Sequence, residues 1–436
     1  MIGPEQTNSA SAQRYRLGGA AARQRVPSPR VNTVGATGDS RSVKHRGRVV
    51  MVEQGGRGGV ADYTAELTRA LGAAGWQVEL ATADDHLYRP APGVHITGVF
   101  HYVRGESVVA RSVRRWGLGP IANGLRFLLA IPRLVSLARR ADIVHSQGWE
   151  FAPLGLVAIV CMRLAGARVV QTSHNTFERD RARDRTHRGL AALAASTIVH
   201  TQADVARVPR TAACRVALIP HGEYSSLARS GGSSDPDRAR AHFGIDLQAP
   251  VTLLFGQLRP DKGLEDLLAA LLRVPGLHAL IVGQDAGALA AAGARLEKAR
   301  ADHRVTVRNG FVDMRQAADA FAASDTVVLP YRVASQSGVL LLAYGFRRPV
   351  IVYPAGGLPE AVIDGETGWI CARCDVDALV DALNSSVVAG RAECHRRGEA
   401  GHRLAQERYG WGTIAARTGE LYDSVLAGRS ISRRTW

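Results

Sequence analysis

A short turn, Gly256-Gln-Leu-Arg-Pro-Asp-Lys-Gly263, carries two cations between an apolar run, Val251–Phe255, and a helix-patterned run. A strand, a tight turn and a helix start are therefore expected. The free backbone N–H groups and the positive dipole end of a helix start favour a bound anion. Arg259 and Lys262 would add two full charges, so the turn predicts a phosphate site. A surface ion pair with Asp261 or Glu265 is the plainer alternative.

A glycine-rich turn, Gly55-Gly-Arg-Gly-Gly59, follows the first strand-like run, Arg48–Gln54. Glycine at such a turn lets a backbone approach a phosphate closely. The turn lacks the Gly-x-Gly-x-x-Gly spacing and an acid placed for a ribose, which disfavours a simple dinucleotide enzyme. A flexible loop is the alternative interpretation.

A third stretch, Tyr331-Arg-Val-Ala-Ser-Gln-Ser-Gly338, follows a strand pattern and precedes an apolar helix that begins near Val339. One serine at a helix start would be an ordinary N-cap. Three neighbouring polar side chains closed by a glycine instead predict a second cradle, for an anion or for sugar hydroxyl groups. These side chains are those of Ser335, Gln336 and Ser337.

The elements that must position these turns alternate regularly along the chain. Strand-like and helix-length patterns follow one another from about residue 47, which predicts α/β domains with parallel sheets covered on both faces. A small, polar segment, Ser230–Asp237, is the best linker, so two doubly wound domains in tandem are expected to face each other across a cleft. The predicted segments are a disordered basic tail (1–46), a first domain (47–229), a second domain (238–410), and a C-terminal helix and tail (411–436).

Taken together, the motifs resemble those of a family four glycosyltransferase, which is a retaining enzyme of the GT-B fold with two Rossmann-like domains. The resemblance covers about residues 48–425, and its cationic turn is similar to a branch that reads Gly-x-Leu-Arg-Pro-x-Lys-Gly. It rests on Gly58-Gly59, Asp142-Ile-Val-His145, Thr172-Ser-His-Asn175, Ile219-Pro-His-Gly222, Lys262-Gly263, Gly356-Gly-Leu-Pro-Glu360 and Asp364-Gly-Glu-Thr-Gly368.

The resemblance implies transfer of a hexose, with retention, from a nucleoside-diphosphate sugar to a glycan or lipid-linked acceptor. It makes 47–229 the acceptor-side domain and 238–410 the donor-binding domain. It also implies that Arg259 and Lys262 stabilise the departing diphosphate and that His174 contacts the donor sugar; capping of a local turn through Asn175 is the alternative for His174. The donor-binding residues expected are Gly58, Gly59, Gly256, Ser335, Gln336, Ser337, Gly338 and Val339.

The chain departs from the family at the paired glutamates. Gapless alignment from Pro349 puts them at Ala334 and Leu342, and neither residue is acidic. The Ser-Gln-Ser-Gly block takes the place of the first, and nothing replaces the second, which in relatives holds the nucleotide ribose. A non-catalytic nucleotide-sugar-binding or assembly subunit of a glycan-synthesis complex therefore stays open as an alternative. A GT-B sugar-nucleotide epimerase would need acid/base carboxylates in the cleft, which the sequence does not supply.

No metal and no other cofactor is predicted, because none of the predicted donor-binding turns carries an Asp-x-Asp motif or clustered carboxylates. The two Asp-x-Asp sequences, Asp235-Pro-Asp237 and Asp375-Val-Asp377, lie in the predicted linker and at the start of the C-terminal helical run. Stabilisation of the leaving group then falls to the two cations of the turn, each worth on the order of 4 kcal/mol at about 4 Å before desolvation. A lone Cys371-Ala-Arg-Cys374 lacks the second pair that a zinc site needs.

The charge of the chain predicts anionic partners, since its 55 Lys and Arg against 39 Asp and Glu give a net charge of +16. The stretch Arg104–Arg140 has eight arginines, one acid and many apolar residues. It predicts a helix on an anionic membrane surface; a core-packed helix with a solvated arginine face is the alternative. No nucleic-acid-binding module is recognisable.

The expected location is the cytoplasm, peripheral on the inner face of the membrane. Five scattered cysteines argue for a reducing compartment, and no signal peptide is visible. The longest apolar run, Phe151–Met162, is too short to span a bilayer, and it predicts two buried helices or a helix plus a strand.

Overall fold

The computed structural model describes residues 46–103, 118–149, 151–174, 181–208, 216–232 and 234–428, without the side chains of 181–184. The first sheet is parallel, in the order β3-β2-β1-β4-β5-β6-β7. Its strands are β1 (Gly47–Val52), β2 (Trp76–Ala83), β3 (Val94–Phe100), β4 (Ile143–Ser146), β5 (Arg168–Thr172), β6 (Ser196–Val199) and β7 (Val216–Leu218). Its helices are α1 (Gly59–Ala73), α2 (Gly119–Ala138), α3 (Ala152–Leu164), α4 (Arg181–Leu193) and α5 (Gln202–Val205).

Two helices, α6 (Ser225–Ser230) and α7 (Pro236–Phe243), lead to the second sheet. That sheet is also parallel, in the order β10-β9-β8-β11-β12-β13. Its strands are β8 (Val251–Phe255), β9 (His278–Gly283), β10 (Val305–Asn309), β11 (Thr326–Leu329), β12 (Val350–Val352) and β13 (Gly368–Ile370). The remaining helices are α8 (Leu264–Leu271), α9 (Ala288–Ala301), α10 (Met314–Ala323), α11 (Gly338–Gly345), α12 (Val376–Tyr409) and α13 (Trp411–Leu426).

Both sheets are buried on both faces. Successive side chains of a strand point to opposite faces, and along β1 Val49 and Met51 belong to one apolar cluster while Val50 and Val52 belong to another. Strand β8 alternates in the same way. The predicted pair of doubly wound α/β domains is confirmed, and the carboxyl ends of the strands carry the loops of interest.

The last helix, α13, returns to the first domain after the second one is complete. Its Ile414, Ala415 and Tyr422 lie in the same buried cluster as Val49 and Met51 of β1. The segment 411–436, predicted as a separate helix and tail, therefore contributes to the core of the first domain as far as residue 428. Residues 429–436, like residues 1–45 of the predicted tail 1–46, lie outside the described residues.

Two sequence predictions differ from the structure. Phe151–Met162 was expected to form two elements, but one helix, α3, spans Ala152–Leu164. Pro153 stands in the first turn of the helix, where a missing N–H costs no hydrogen bond, so it does not divide the run. The run is long because apolar side chains cover an exposed side of the helix as well as a buried one. Strand β13 was not predicted, and its three residues are too few to show a period of two.

Candidate functional site

The glycine-rich turn of the first domain is open on one side and anchored on the other. Gly58 has φ +83°, and a Cβ at Gly58 or Gly59 would meet no heavy atom within 4 Å. A carboxylate that sequence analysis missed, that of Glu53, accepts hydrogen bonds from the N–H groups of Gly55 and Gly56, each at 2.7 Å. Glu53 is buried, so it fixes the loop while α1 begins beside open space.

Asp62 lies in the first turn of α1, next to this open space. The residue as a whole is exposed, although neighbouring protein atoms partly desolvate its carboxyl group. Limited hydration there, and the carboxylates of Glu66 and Glu53, raise the pKa of Asp62 to about 6. Sequence analysis missed Asp62, whose carboxyl group titrates closer to neutral pH than that of an ordinary aspartate.

The cationic turn of the second domain is held by a close backbone approach. Gly263 has φ +72°, and a Cβ there would overlap the carbonyl oxygen of Pro330 at the end of β11. The ammonium of Lys262 lies 3.7 Å from the ring centroid of Tyr331. Burial, together with the charge of Arg259, lowers the pKa of Lys262 to about 8. The turn thus holds a partly desolvated cation against the sheet edge.

The two cations of the turn differ in whether they have an ion-pair partner. Arg259 forms a bidentate ion pair with Asp261, at 3.0 Å from Nε to Oδ1 and 2.9 Å from Nη2 to Oδ2, as the plainer alternative expected. The pair is exposed and is worth at most about 1 kcal/mol, so an incoming diphosphate can compete for it. Lys262 forms no ion pair within the described part of the chain.

Tyr224 brings the predicted turns of the two domains together. Its hydroxyl donates to the carbonyl oxygen of Gly59 at 3.5 Å, and a Cβ at Gly338 would lie 3.1 Å from its ring. A Cβ at Gly256 would lie 3.3 Å from the side chain of Val339. The starts of α1 and α11 and the turn at Gly256 therefore meet at one place. Sequence analysis missed Tyr224, which precedes α6 between the domains.

The three polar side chains before α11 do not converge. Ser335 donates to Asp204 of the first domain at 2.6 Å, and Ser337 accepts from the Leu340 N–H at 3.3 Å as an ordinary N-cap. Gln336 lines a cavity between the domains, and its Oε1 has no hydrogen-bond partner in the described structure. Donor binding by these side chains stays a prediction, while the backbone of this segment lies at the helix start.

A second set of contacts joins the domains beside this cavity. The carboxylate of Glu360 accepts the N–H groups of Gln202 and Ala203 at 2.8 and 3.0 Å, so it caps the short helix α5 from the opposite domain. The cavity has a volume of about 410 Å³. Its lining includes His200, His221, Gln336, Glu360, Arg408 and Arg417.

Histidines occupy the carboxyl ends of four neighbouring strands, β4 to β7; they are His145, His174, His200 and His221. The ring of Tyr63 on α1 lies 4.8, 5.3 and 4.8 Å from those of His174, His200 and His221. Burial lowers the pKa of His174 well below its ordinary value and those of His145 and His221 to about 3. The cluster is therefore neutral at physiological pH.

Sequence analysis named only His174 as a site residue in this cluster. The signal for the others was present, since each of these strand-like runs contains or is soon followed by a histidine. At the two positions of the missing glutamates, Ala334 and Leu342 are buried in the core of the second domain. Among the described residues, no group of three or more His, Cys, Asp or Glu side chains is placed to hold a metal ion.

Comparisons with known proteins agree with this architecture. Residues 57–222 match the family model "Glycosyltransferase Family 4", and residues 249–387 match the model "Glycosyl transferases group 1". The two matches fall on the two domains and together cover more than two thirds of the chain.

Curated relatives are similar over most of their length. A D-inositol 3-phosphate glycosyltransferase of Streptomyces scabiei is 26% identical over 405 residues, which are 85% of this chain and 87% of the relative. A glycogen synthase of Mycobacterium tuberculosis is 28% identical over 397 residues, covering 85% of this chain and 92% of the relative. Both relatives are glycosyltransferases.

Solved structures show the same fold. Sucrose-phosphate synthase from Thermosynechococcus elongatus has a TM-score of 0.67 at 21% identity, over 87% of this chain and 99% of its own. The Anabaena protein HepE, solved in complex with UDP-glucose, has a TM-score of 0.67 at 17% identity, over 87% of this chain and 100% of its own. The two sheets and these neighbours establish the GT-B fold.

Proposed function

We propose that this chain, a family 4 glycosyltransferase of the GT-B fold, transfers a hexose with retention from a nucleoside-diphosphate sugar to a glycan or lipid-linked acceptor. The observation that carries the proposal is Lys262. It is a half-buried cation with a lowered pKa and no ion-pair partner in the described structure, at a turn beside a helix start. A bound anion would stabilise the charged form of this partly desolvated ammonium group.

The reaction breaks the bond between the anomeric carbon and the diphosphate, and the electron pair leaves with the phosphate oxygen. Lys262, Arg259 and the start of α1 at Gly58 and Gly59 are positioned to stabilise that growing negative charge. The acceptor hydroxyl supplies the new bond to the anomeric carbon, and its proton is released with the nucleoside diphosphate. His174 lies beside α1, where we place the donor sugar.

A non-catalytic nucleotide-sugar-binding subunit is the second candidate. The buried apolar residues Ala334 and Leu342, in place of acidic ones, favour it. The two candidates differ in one measurable respect, because only a transferase releases nucleoside diphosphate in the presence of an acceptor. We further propose that transfer needs no metal or other cofactor, which predicts unchanged turnover in EDTA.

Turnover is expected to fall as the pH rises through about 8. Only protonated Lys262 attracts a diphosphate, and the pKa of free Lys262 is lowered to about 8, so the charge is present below that pH and lost above it. The measurement is kcat/KM for the donor against pH, which reports the pKa values of the free enzyme. In Lys262→Arg the basic limb should move out of the measurable range. If the basic limb of the pH profile stays near pH 8 in this variant, the loss of activity at high pH comes from a group other than residue 262.

We also propose that the first domain docks on an anionic membrane surface. Of the predicted stretch Arg104–Arg140, residues 104–117 lie outside the described residues. The rest forms α2, the one described helix with the length and apolar composition of a membrane span. Its buried side includes Phe127 and Leu134, so it is a helix of the domain core. Its other side is a second apolar stripe.

That second stripe continues onto the neighbouring helix α3. The exposed apolar side chains of the two helices, with that of Leu118 just before α2, are those of Leu118, Ile121, Leu125, Leu128, Leu129, Val157, Val160 and Leu164. No Asp or Glu occurs in either helix, whereas Arg126, Arg133 and Arg163 do. Apolar side chains flanked by arginines match the interface of an anionic bilayer, where a lipid-linked acceptor resides. We accordingly propose a cytoplasmic protein, peripheral on the inner membrane face.

Leu125→Ser combined with Leu129→Ser is expected to reduce binding to phosphatidylglycerol vesicles by at least about tenfold, because each leucine contributes up to about 2 kcal/mol when it leaves water. Both side chains are exposed, at 59% and 78%, so folding should be unaffected. Co-sedimentation measures the binding. The matched control replaces Leu247 and Val388, exposed apolar residues of the second domain, by serine. Equal losses in both double variants would contradict the proposed surface.

A further inference from the structure

We infer that Gln147 is a positioning residue that fixes the tautomer and orientation of His174, and that helix α13 holds Gln147 in place through His145 and Tyr422. The inference rests on the proposed function, in which His174 contacts the donor sugar. The sequence motifs give no role to Gln147 or Tyr422.

The carboxamide of Gln147 has one allowed orientation. It is buried at the end of β4; its Nε2 lies 2.9 Å from Met51 Sδ, and its Oε1 lies 3.0 Å from His174 Nε2. A thioether sulfur can only accept a hydrogen bond, so the amide nitrogen must face it and the oxygen must face His174. Since that oxygen can only accept, His174 carries its proton on Nε2. The neutral imidazole then keeps Nδ1 as an acceptor.

His145 supports the same arrangement from the other side. Its Nε2 lies 2.7 Å from the Thr172 hydroxyl and 3.3 Å from Gln147 Nε2. The amide nitrogen of Gln147 can only donate a hydrogen bond, so Nε2 of His145 is unprotonated and the proton of this imidazole is on Nδ1. That Nδ1 lies 2.6 Å from the hydroxyl oxygen of Tyr422. If His145 were doubly protonated, its Nε2–H would face the N–H of Gln147. The hydrogen-bond network is therefore stable only when the imidazole of His145 is neutral.

Tyr422 provides a rigid end to this chain of contacts. It is fully buried, and its ring lies 5.2 Å from that of Trp76 in an edge-to-face arrangement. It belongs to α13, which follows the second domain in sequence and packs in the core of the first. The last described helix is thereby connected, through the side chains of His145 and Gln147, to His174, which we place at the reaction centre.

Loss of this network should affect catalysis more than binding. Without Gln147, the neutral imidazole of His174 can carry its proton on either nitrogen and can tilt. An acceptor at Nδ1 would then face a sugar hydroxyl only part of the time. Misplacement of a reacting group by about 1 Å can cost about a hundredfold in rate, whereas Lys262 and Arg259 of the other domain, and the start of α1, hold the donor diphosphate without His174.

The test combines histidine ¹⁵N NMR with kinetics on the full chain. Long-range ¹H–¹⁵N spectra distinguish the protonated from the unprotonated nitrogen of each neutral imidazole, and His174→Gln identifies the signal of His174. In the wild type we expect a single Nε2–H tautomer. In Gln147→Leu we expect a mixed or reversed pattern, with kcat lowered by about 10- to 100-fold and the donor KM nearly unchanged. Tyr422→Phe should show a weaker change of the same kind.

The control is Gln54→Leu, a buried glutamine at the end of β1 whose Oε1 accepts from the Tyr102 hydroxyl rather than from an imidazole. It should leave the His174 signal unchanged. An unchanged His174 tautomer in both Gln147→Leu and Tyr422→Phe would overturn the inference, whatever happens to turnover. A changed tautomer with normal kcat would overturn it too. Failure of the wild type to transfer any sugar would refute the proposed function instead, and the tautomer would still be decided by NMR.

Discussion

Lys262→Ala is expected to lower turnover by at least about a thousandfold, which corresponds to about 4 kcal/mol of transition-state stabilisation. In the proposed mechanism the side chain supplies a full charge where the diphosphate leaves, and the turn Gly256–Gly263 contains no second lysine. Lys262 is one of three lysines in a chain that otherwise uses arginine. Release of nucleoside diphosphate with donor and acceptor present measures the effect.

The variant should fold normally, because the ammonium is only half-buried and forms no ion pair in the described structure. The lowered pKa means that folding disfavours the charged form of Lys262, so removal of this charge should not destabilise the protein. The matched control is Lys298→Ala, an exposed lysine on α9 of the same domain. Near-normal transfer by Lys262→Ala, with the thermal midpoint unchanged, would refute the role of Lys262 in charge stabilisation.

Gly263→Ala should both destabilise the second domain and abolish transfer. A non-glycine residue at φ +72° costs about 1 kcal/mol or more. The new methyl group would also overlap the carbonyl oxygen of Pro330, and the backbone shift that relieves this overlap raises the cost to the order of 3 kcal/mol. Because the shift displaces Lys262, turnover should fall with it. Urea unfolding and turnover measure the two effects.

Gly276→Ala separates the two contributions. Gly276 has nearly the same backbone angle, φ +73°, but a Cβ there would meet nothing within 4 Å. Gly276→Ala therefore carries only the cost of a non-glycine residue at positive φ. It should lose about 1 kcal/mol of stability and keep its activity. Equal losses in Gly263→Ala and Gly276→Ala would show that the close approach to Pro330 has no special role in the turn.

Local patterns in the sequence predicted most of the strands, most of the helices and the two glycine-bearing turns. The turn at Gly256–Gly263 was predictable because a strand, two cations and a helix start are adjacent along the chain. The open space at Gly58 and Gly59 follows from the same kind of signal, since consecutive glycines suit neither a strand nor a helix interior. These features depend on neighbouring residues alone.

The contacts that complete the site depend on residues far apart in sequence. Ser335 and Asp204 are separated by 131 positions, and His145 and Tyr422 by 277. An amphipathic pattern in α13 predicts which face is buried but not that the covering surface belongs to the first domain. The sequence alone allowed the hydroxyl of Ser335 to contact a donor sugar. Only the packing of the two domains shows that this hydroxyl donates to Asp204 instead.

The most direct test of the central proposal is release of nucleoside diphosphate by the full chain in EDTA. The donors are UDP-glucose, UDP-galactose, UDP-N-acetylglucosamine, ADP-glucose and GDP-mannose, each with and without a membrane lipid extract as acceptor. We predict that at least one donor releases its diphosphate with the extract present, and that this release is lost in Lys262→Ala. Binding of a nucleotide sugar without release under every condition would contradict a transferase and support the non-catalytic subunit.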